Sequence, residues 1–199
     1  LRRSGSSHVL EIDLPVAGGE RLVGRLGDLD ESGRIVARFT RPRAKHQLAL
    51  WIEHLALCAA LPERSPVSTM IGRVDVRAEL VVVALEPVPD ASERLADLVA
   101  LHRVGLVEPL LLFPEASLAF AEAFLATRDP DAALAAARKQ WRSGERVAIA
   151  RPELERVFGE DDVFAPDYSP FADVPLASGG FMELACRVFG PLVQARRSS

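Results

Sequence analysis

The chain has 199 residues, with 24 Lys and Arg against 28 Asp and Glu, a net charge of −4, 49% hydrophobic residues and 26% charged ones. That balance excludes a disordered tail, a collagen, a coiled coil and a disulfide scaffold. At this length about 70% of the unfolded surface can be buried, so one domain with a full core is expected, with two small domains as the alternative.

The only cysteines, Cys58 and Cys186, lie far apart in apolar runs and are expected as core thiols of a reducing compartment. No apolar run approaches the roughly 20 residues of a membrane span, and residues 1–7 carry charge with no apolar stretch behind it. A cytoplasmic location with no membrane partner is therefore expected. Position 1 is Leu, and the methionines are Met70 and Met182, which points to a piece of a longer chain with residues 1–7 as a flexible end and 8–199 as one domain.

In chain order, Leu10, Ile12 and Leu14 alternate with Glu11 and Asp13, the period of a half-buried strand. Pro15 and Gly18-Gly19 break it, a second strand runs from Glu20 to Leu29, and Asp30-Glu31-Ser32-Gly33 reads as a turn before a third strand, Arg34 to Thr40. Three antiparallel strands in a meander follow. Ala44 to Leu61 is a helix, apolar nearly all round and so buried on most sides. Ser68 to Val74 and Leu80 to Glu86 are extended, the second so continuously apolar that it predicts a central strand covered on both faces. Helices are predicted from Ala91 to Val104 behind an Asp90 cap, from Pro114 to Phe124, from Asp129-Pro130 to Trp141, and from Gly180 to Arg196. Between them, Glu153 to Asp173 is acidic with Phe158, Phe164, Tyr168 and Phe171 interleaved, an ordered loop held down by aromatics.

Several catalytic templates are missing. Neither lysine, Lys45 or Lys139, follows a glycine, so there is no P-loop for ATP. His8, His46, His54 and His102 form no HExxH, no CxxC exists, and no GxSxG elbow or calcium loop appears. No cofactor is expected. His54 reads as a partly buried histidine with one nitrogen satisfied, and Asp75 as a surface acid paired with arginine. The positive run Arg34, Arg38, Arg41, Arg43, Lys45 and His46 is more informative, because concentrated cations in an acidic chain are what phosphate contacts need. A solvated strand face with helix-start charges is the plainer alternative. Cations at a helix start are unfavourable with its dipole, so something else must compensate them.

Arg41-x-Arg43-Ala44-Lys45-His46-x-Leu48-x-Leu50-Trp51-x-x-His54-Leu55-Ala56, then Gly105-x-x-x-Pro109-Leu110-x-x-Phe113-Pro114, then a helix around Trp141, resembles the C-terminal domain of the RecC family, gamma subunits of exodeoxyribonuclease V (RecBCD). The likeness runs from about Val9 to Leu192. It implies an α/β (α+β) fold with a mixed central sheet flanked by helices, restriction-endonuclease-like (PD-(D/E)xK-type), with a degenerate active site. It also implies RecB-type and RecD-type subunits and a double-stranded DNA end as partners. Such nucleases hold magnesium with one acid at a strand end and a D/E-x-K on the next strand. Here Gly27 stands at the first position, with Asp28 one residue late and so expected on the opposite face. On Ile35 to Thr40, Ala37 stands for the acid and Phe39 for the lysine. Lys45 is preceded two positions back by Arg43 and Lys139 by Ala137, so the chain has no D/E-x-K at all. Asp75-x-Arg77 is the near miss, and a guanidinium keeps its proton.

Three readings follow: a non-catalytic scaffold contacting DNA through Arg41, Arg43, Lys45 and His46; a docking module without DNA contact; and a residual magnesium-dependent nuclease using Asp28 or Asp75.

Overall fold

Period-two patterning in the first forty residues produces the expected meander. The computed structural model describes residues 8–16, 18–73, 79–148, 156–158, 162–165, 168–169 and 176–197, and 142–148 as backbone alone. Strands β1 (His8–Val16), β2 (Glu20–Leu29) and β3 (Gly33–Ala37) pair antiparallel in sequence order. The β1–β2 reversal uses Gly18 and Gly19, both in the left-handed region at φ 83° and 77°, where a side chain would be strained. Asp30 builds the second turn: its Oδ1 accepts from the Ser32 and Gly33 N–H groups at 2.9 and 3.1 Å.

Helix α1 (Ala44–Ala60) then carries the chain to β4 (Val67–Arg73), which pairs parallel with β3, and β5 (Leu80–Leu85) returns antiparallel to β4. The sheet order is β1-β2-β3-β4-β5. A parallel pair needs a crossover, and α1 supplies it, packing on β1, β4 and β5. Trp51, Leu50, Leu55 and Leu57 are essentially fully buried, as its apolar circumference requires.

The expectation of a central, doubly covered Leu80–Glu86 strand is corrected. β5 ends the sheet order, and Leu80 and Val82 are 62% and 55% exposed. A continuous apolar run reports strand propensity, whereas coverage depends on what is laid beside it. At its far end β5 does gain a neighbour: Leu85 bridges Arg196, and Arg197 N–H donates to the Ala84 carbonyl at 3.0 Å.

The remaining helices are α2 (Ala91–Gly105), α3 (Pro114–Thr127), α4 (Pro130–Ala148) and α5 (Phe181–Ala195). All four fall where the sequence places them, although α4 runs past Trp141. Asp129 caps α4, accepting from the Asp131 and Ala132 N–H groups at 2.9 and 3.3 Å. Asp90, the expected cap of α2, has its carboxylate in an ion pair with Arg94 at 2.8 Å.

The chain divides into two compact units, residues 1–100 with 195–199, and residues 101–194. The first holds the sheet and α1. The second is organised around Phe113, whose ring centroid lies 4.7 Å from that of Trp141, 5.4 Å from Phe158 and 6.3 Å from Phe164 and Phe181. Buried Phe158 and Phe164, with the Tyr168 hydroxyl donating to the Phe158 carbonyl at 2.9 Å, anchor the described parts of the acidic loop as its aromatic spacing suggests. Phe171 and the ends of that loop, Glu153 and Asp173, lie outside the described residues, as do residues 1–7, Asp75 and Arg77. Both cysteines are free; Cys58 is buried as expected, whereas Cys186 is only half-buried.

Candidate nucleic-acid interface

The predicted positive run extends from β3 through the connecting loop into the first turn of α1, and the structure sorts it into two groups. Arg34 turns inward: its Nε donates to the Gly27 carbonyl at 3.1 Å and its guanidinium pairs with Glu53 of α1, leaving the side chain 11% exposed. It braces β3 against α1 and presents no charge outward. Arg38, Arg41, Arg43 and Lys45 are all exposed, and among the described residues no carboxylate forms an ion pair with any of them.

The first turn of α1 contains no acid, and its N-cap residue is Arg43. The backbone cap there comes from an imidazole, which leaves the cations' charge uncompensated. His46 Nδ1 accepts the Arg43 N–H at 3.2 Å, the role a glutamate plays in a capping box. That bond requires an unprotonated Nδ1. Partial burial, and after it the nearby charges of Arg38, Lys45 and Arg43, hold the His46 pKa below its ordinary value against a raising backbone hydrogen bond with Arg41. At neutral pH His46 thus shapes the helix start and adds no charge. Gln47 Nε2 secures the same turn by donating to the Pro42 carbonyl at 3.3 Å, while its Oε1 accepts from Arg196 at 2.5 Å.

The loop holding Arg38 and Arg41 is fixed to β4. Arg38 N–H donates to the Ile71 carbonyl at 2.8 Å, and Arg73 N–H donates to the Thr40 carbonyl at 3.3 Å. Gly72 permits this approach, because a Cβ there would lie 2.8 Å from Thr40 O and 2.5 Å from Pro42 Cγ.

The positions set against the nuclease pattern fall as follows. Gly27 lies half-buried in β2 with the exposed Asp28 beside it at φ 60°, a β-bulge at which β1 advances two residues, from His8 to Leu10, while β2 spans three, from Leu29 to Leu26. The extra residue lets Leu26 and Leu29, three apart, both reach the core, so simple alternation cannot assign a face here. Ala37 is the exposed last residue of β3. Phe39 lies beyond the strand, whose predicted end at Thr40 is thereby shortened, and is 98% exposed. Among the described residues, no three His, Cys, Asp or Glu side chains are gathered as metal ligands would be. No helix among them is long and apolar enough to cross a membrane.

His54 is more deeply engaged than its sequence context suggests. It is fully buried with both ring nitrogens hydrogen-bonded, to Ser68 and to the Glu86 carbonyl. Burial lowers its pKa, overriding the raising influence of Glu86, so it is a neutral core histidine.

With this geometry in place, comparison with known proteins gives one family. The family model of the RecC C-terminal domain matches residues 1–125, covering the sheet, α1, α2 and most of α3. The cationic loop, the α1 signature and the Gly105–Pro114 segment all lie inside that span, and Trp141 lies beyond it. The RecBCD enzyme subunit RecC of Mycolicibacterium smegmatis is 32% identical over 129 residues, 65% of this chain and 12% of that protein. The RecBCD enzyme subunit RecC of Mycobacterium tuberculosis (strain H37Rv) is 29% identical over 141 residues, 71% of this chain and 13% of that protein. This chain therefore spans about an eighth of the length of those relatives, and it belongs to the RecC C-terminal domain family.

Proposed function

We propose that this chain is a non-catalytic, DNA-contacting part of a RecC-type subunit. It works in the cytoplasm with RecB-type and RecD-type subunits in an ATP-dependent helicase-nuclease that processes double-stranded DNA ends for recombinational repair. Family membership supports the setting. The mixed sheet, with its meander, α1 crossover and parallel β4, is in keeping with a restriction-endonuclease-like scaffold. The absence of any D/E-x-K supports a scaffold without metal chemistry, since two carboxylates and a lysine are what such a site requires.

The observation that carries the DNA contact is the exposed set Arg38, Arg41, Arg43 and Lys45, on a loop tied to β4 and a helix start that His46 caps without charge. Cations without a carboxylate partner among the described residues, beside a positive helix end, are arranged for a polyanion. Each phosphate they engage releases counterions. Replacing the four by Ala in the assembled complex lowers the salt slope of duplex-end binding by roughly 0.9 per lost phosphate contact. An unchanged slope rejects the assignment.

The apolar exposed edge of β5, with Leu80 and Val82, favours a second reading in which the unit docks onto other subunits without touching DNA. Under it, placing a charge on that edge with Val82→Lys abolishes assembly while the four cations prove dispensable. Magnesium-dependent cutting lost on changing Asp28 or Asp75 would instead restore the nuclease reading.

A further inference from the structure

An almost fully exposed phenylalanine in a soluble unit calls for a physical reason, since its ring forgoes roughly 2 kcal/mol of burial. Phe39 is 98% exposed, and slack does not account for it. The residue before it is fixed by the Arg38 N–H bond to Ile71 O, and the residue after it by the Arg73 N–H bond to Thr40 O. Pro42 then packs where Gly72 leaves room. The backbone holds the ring outward from both sides.

Its immediate neighbours in the chain, Arg38, Thr40 and Arg41, are exposed and polar, with Arg43 and Lys45 following. An anchor for a protein partner sits within an apolar patch that excludes water. A single aromatic flanked by cations matches instead what unpaired nucleic acid requires, a π-face for a base and positive charge for the adjoining phosphates.

We propose that Phe39 is a base-stacking platform for an unpaired nucleotide at an opened DNA end, with Arg38 and Arg41 holding the phosphates on either side. This rests on the DNA-contact reading above and specifies which part of the nucleic acid the loop takes. Base stacking on an aromatic ring tolerates every base, so the site reads strandedness and not sequence.

The test uses the full-length subunit assembled in its complex, with an oligothymidylate, a forked duplex and a relaxed closed circular duplex as probes. Phe39→Ala, at a site too exposed to disturb folding, is expected to weaken the oligothymidylate and the fork about tenfold, leaving the circular duplex and the salt slope unchanged. In F39W the indole emission is expected to be quenched by the oligothymidylate. Equal affinity of wild type and Phe39→Ala for the first two probes, or an equal loss on the circular duplex, overturns the proposal. So does an F39W indole that becomes shielded on subunit assembly without DNA, which would make the ring a protein contact. The alanine replacement of the four cations fails or succeeds separately, through the salt slope, so loss of the phosphate reading and loss of the stacking reading are told apart.

Discussion

His54 on α1 and Ser68 on β4 share a 2.9 Å hydrogen bond in the buried interior, and its direction is fixed by the other side of the ring. Nε2 lies 2.9 Å from the Glu86 carbonyl, which can only accept, so Nε2 carries the proton and Nδ1 accepts from the Ser68 hydroxyl. One side chain thus joins the crossover helix, β4 and the residue that follows β5. Cys58 Sγ fills the space 3.5 Å from Nε2, and burial raises its pKa, so it is an unreactive thiol.

His54→Ala strands the buried Ser68 hydroxyl, leaves the half-buried Glu86 carbonyl without its partner and opens a cavity, at a cost of roughly 3 kcal/mol. Urea denaturation measures it, and a loss under about 0.5 kcal/mol contradicts the network.

The same histidine sets a pH dependence. Its folded pKa is lowered while the unfolded imidazole titrates near 6.5, so below about pH 6.5 the unfolded chain takes up a proton that the folded one refuses. The stabilisation is fully present above that pH and declines as pH falls through the folded pKa. His46 is lowered as well and adds to the slope. Stability measured from pH 7.5 to 5 is expected to fall less steeply in His46→Gln, and a flat wild-type profile contradicts both assignments.

Gly72→Ala alters packing beside the cationic loop without changing any charge. The new Cβ meets Pro42 Cγ and Thr40 O, so the β3–α1 loop must lift from β4 at a cost of about 1–3 kcal/mol. Hydrogen exchange reads this directly: the Arg38 and Arg73 amides, which clamp the loop, lose protection ahead of the rest of the sheet.

Ion pairs of different burial should differ in worth. Arg34, 11% exposed, pairs with Glu53, whereas Arg25 and Glu11 on β1–β2 are 75% and 68% exposed. Glu53→Ala leaves a largely buried guanidinium unpaired and is expected to cost about 1–2 kcal/mol, discounted for the 41% exposure of Glu53 itself. Glu11→Ala costs no more than about 0.5 kcal/mol. Equal effects in paired thermal melts would remove the distinction.

In the second unit, Phe113→Ala removes the ring that Trp141, Phe158, Phe164 and Phe181 all meet. The expected loss is about 3–5 kcal/mol, with the near-UV circular dichroism of the cluster reduced. A variant with unchanged melting and spectrum would show the cluster to be incidental.

Local chemistry determined a large share of this protein. Alternation of Leu10, Ile12 and Leu14, the Asp30–Gly33 turn, the apolar girth of α1 and the proline starts of α3 and α4 each act within a few residues, so the meander and helices were legible. The spacing from Arg41 to Pro114 was enough to place the family. Other features depend on contacts between residues far apart in the chain. Whether Leu80–Leu85 is central or an edge, and which cations stay outward, were decided by what folds beside them: Arg34 faces Glu53 nineteen positions on, while Arg41 and Arg43 face no carboxylate among the described residues. Phe39 makes the same point: the resemblance set it against a nuclease lysine, and its 98% exposure follows from the bonds that tie Arg38 and Thr40 to β4. Periodicity sets which side of an element is apolar; long-range packing sets which of those sides is covered.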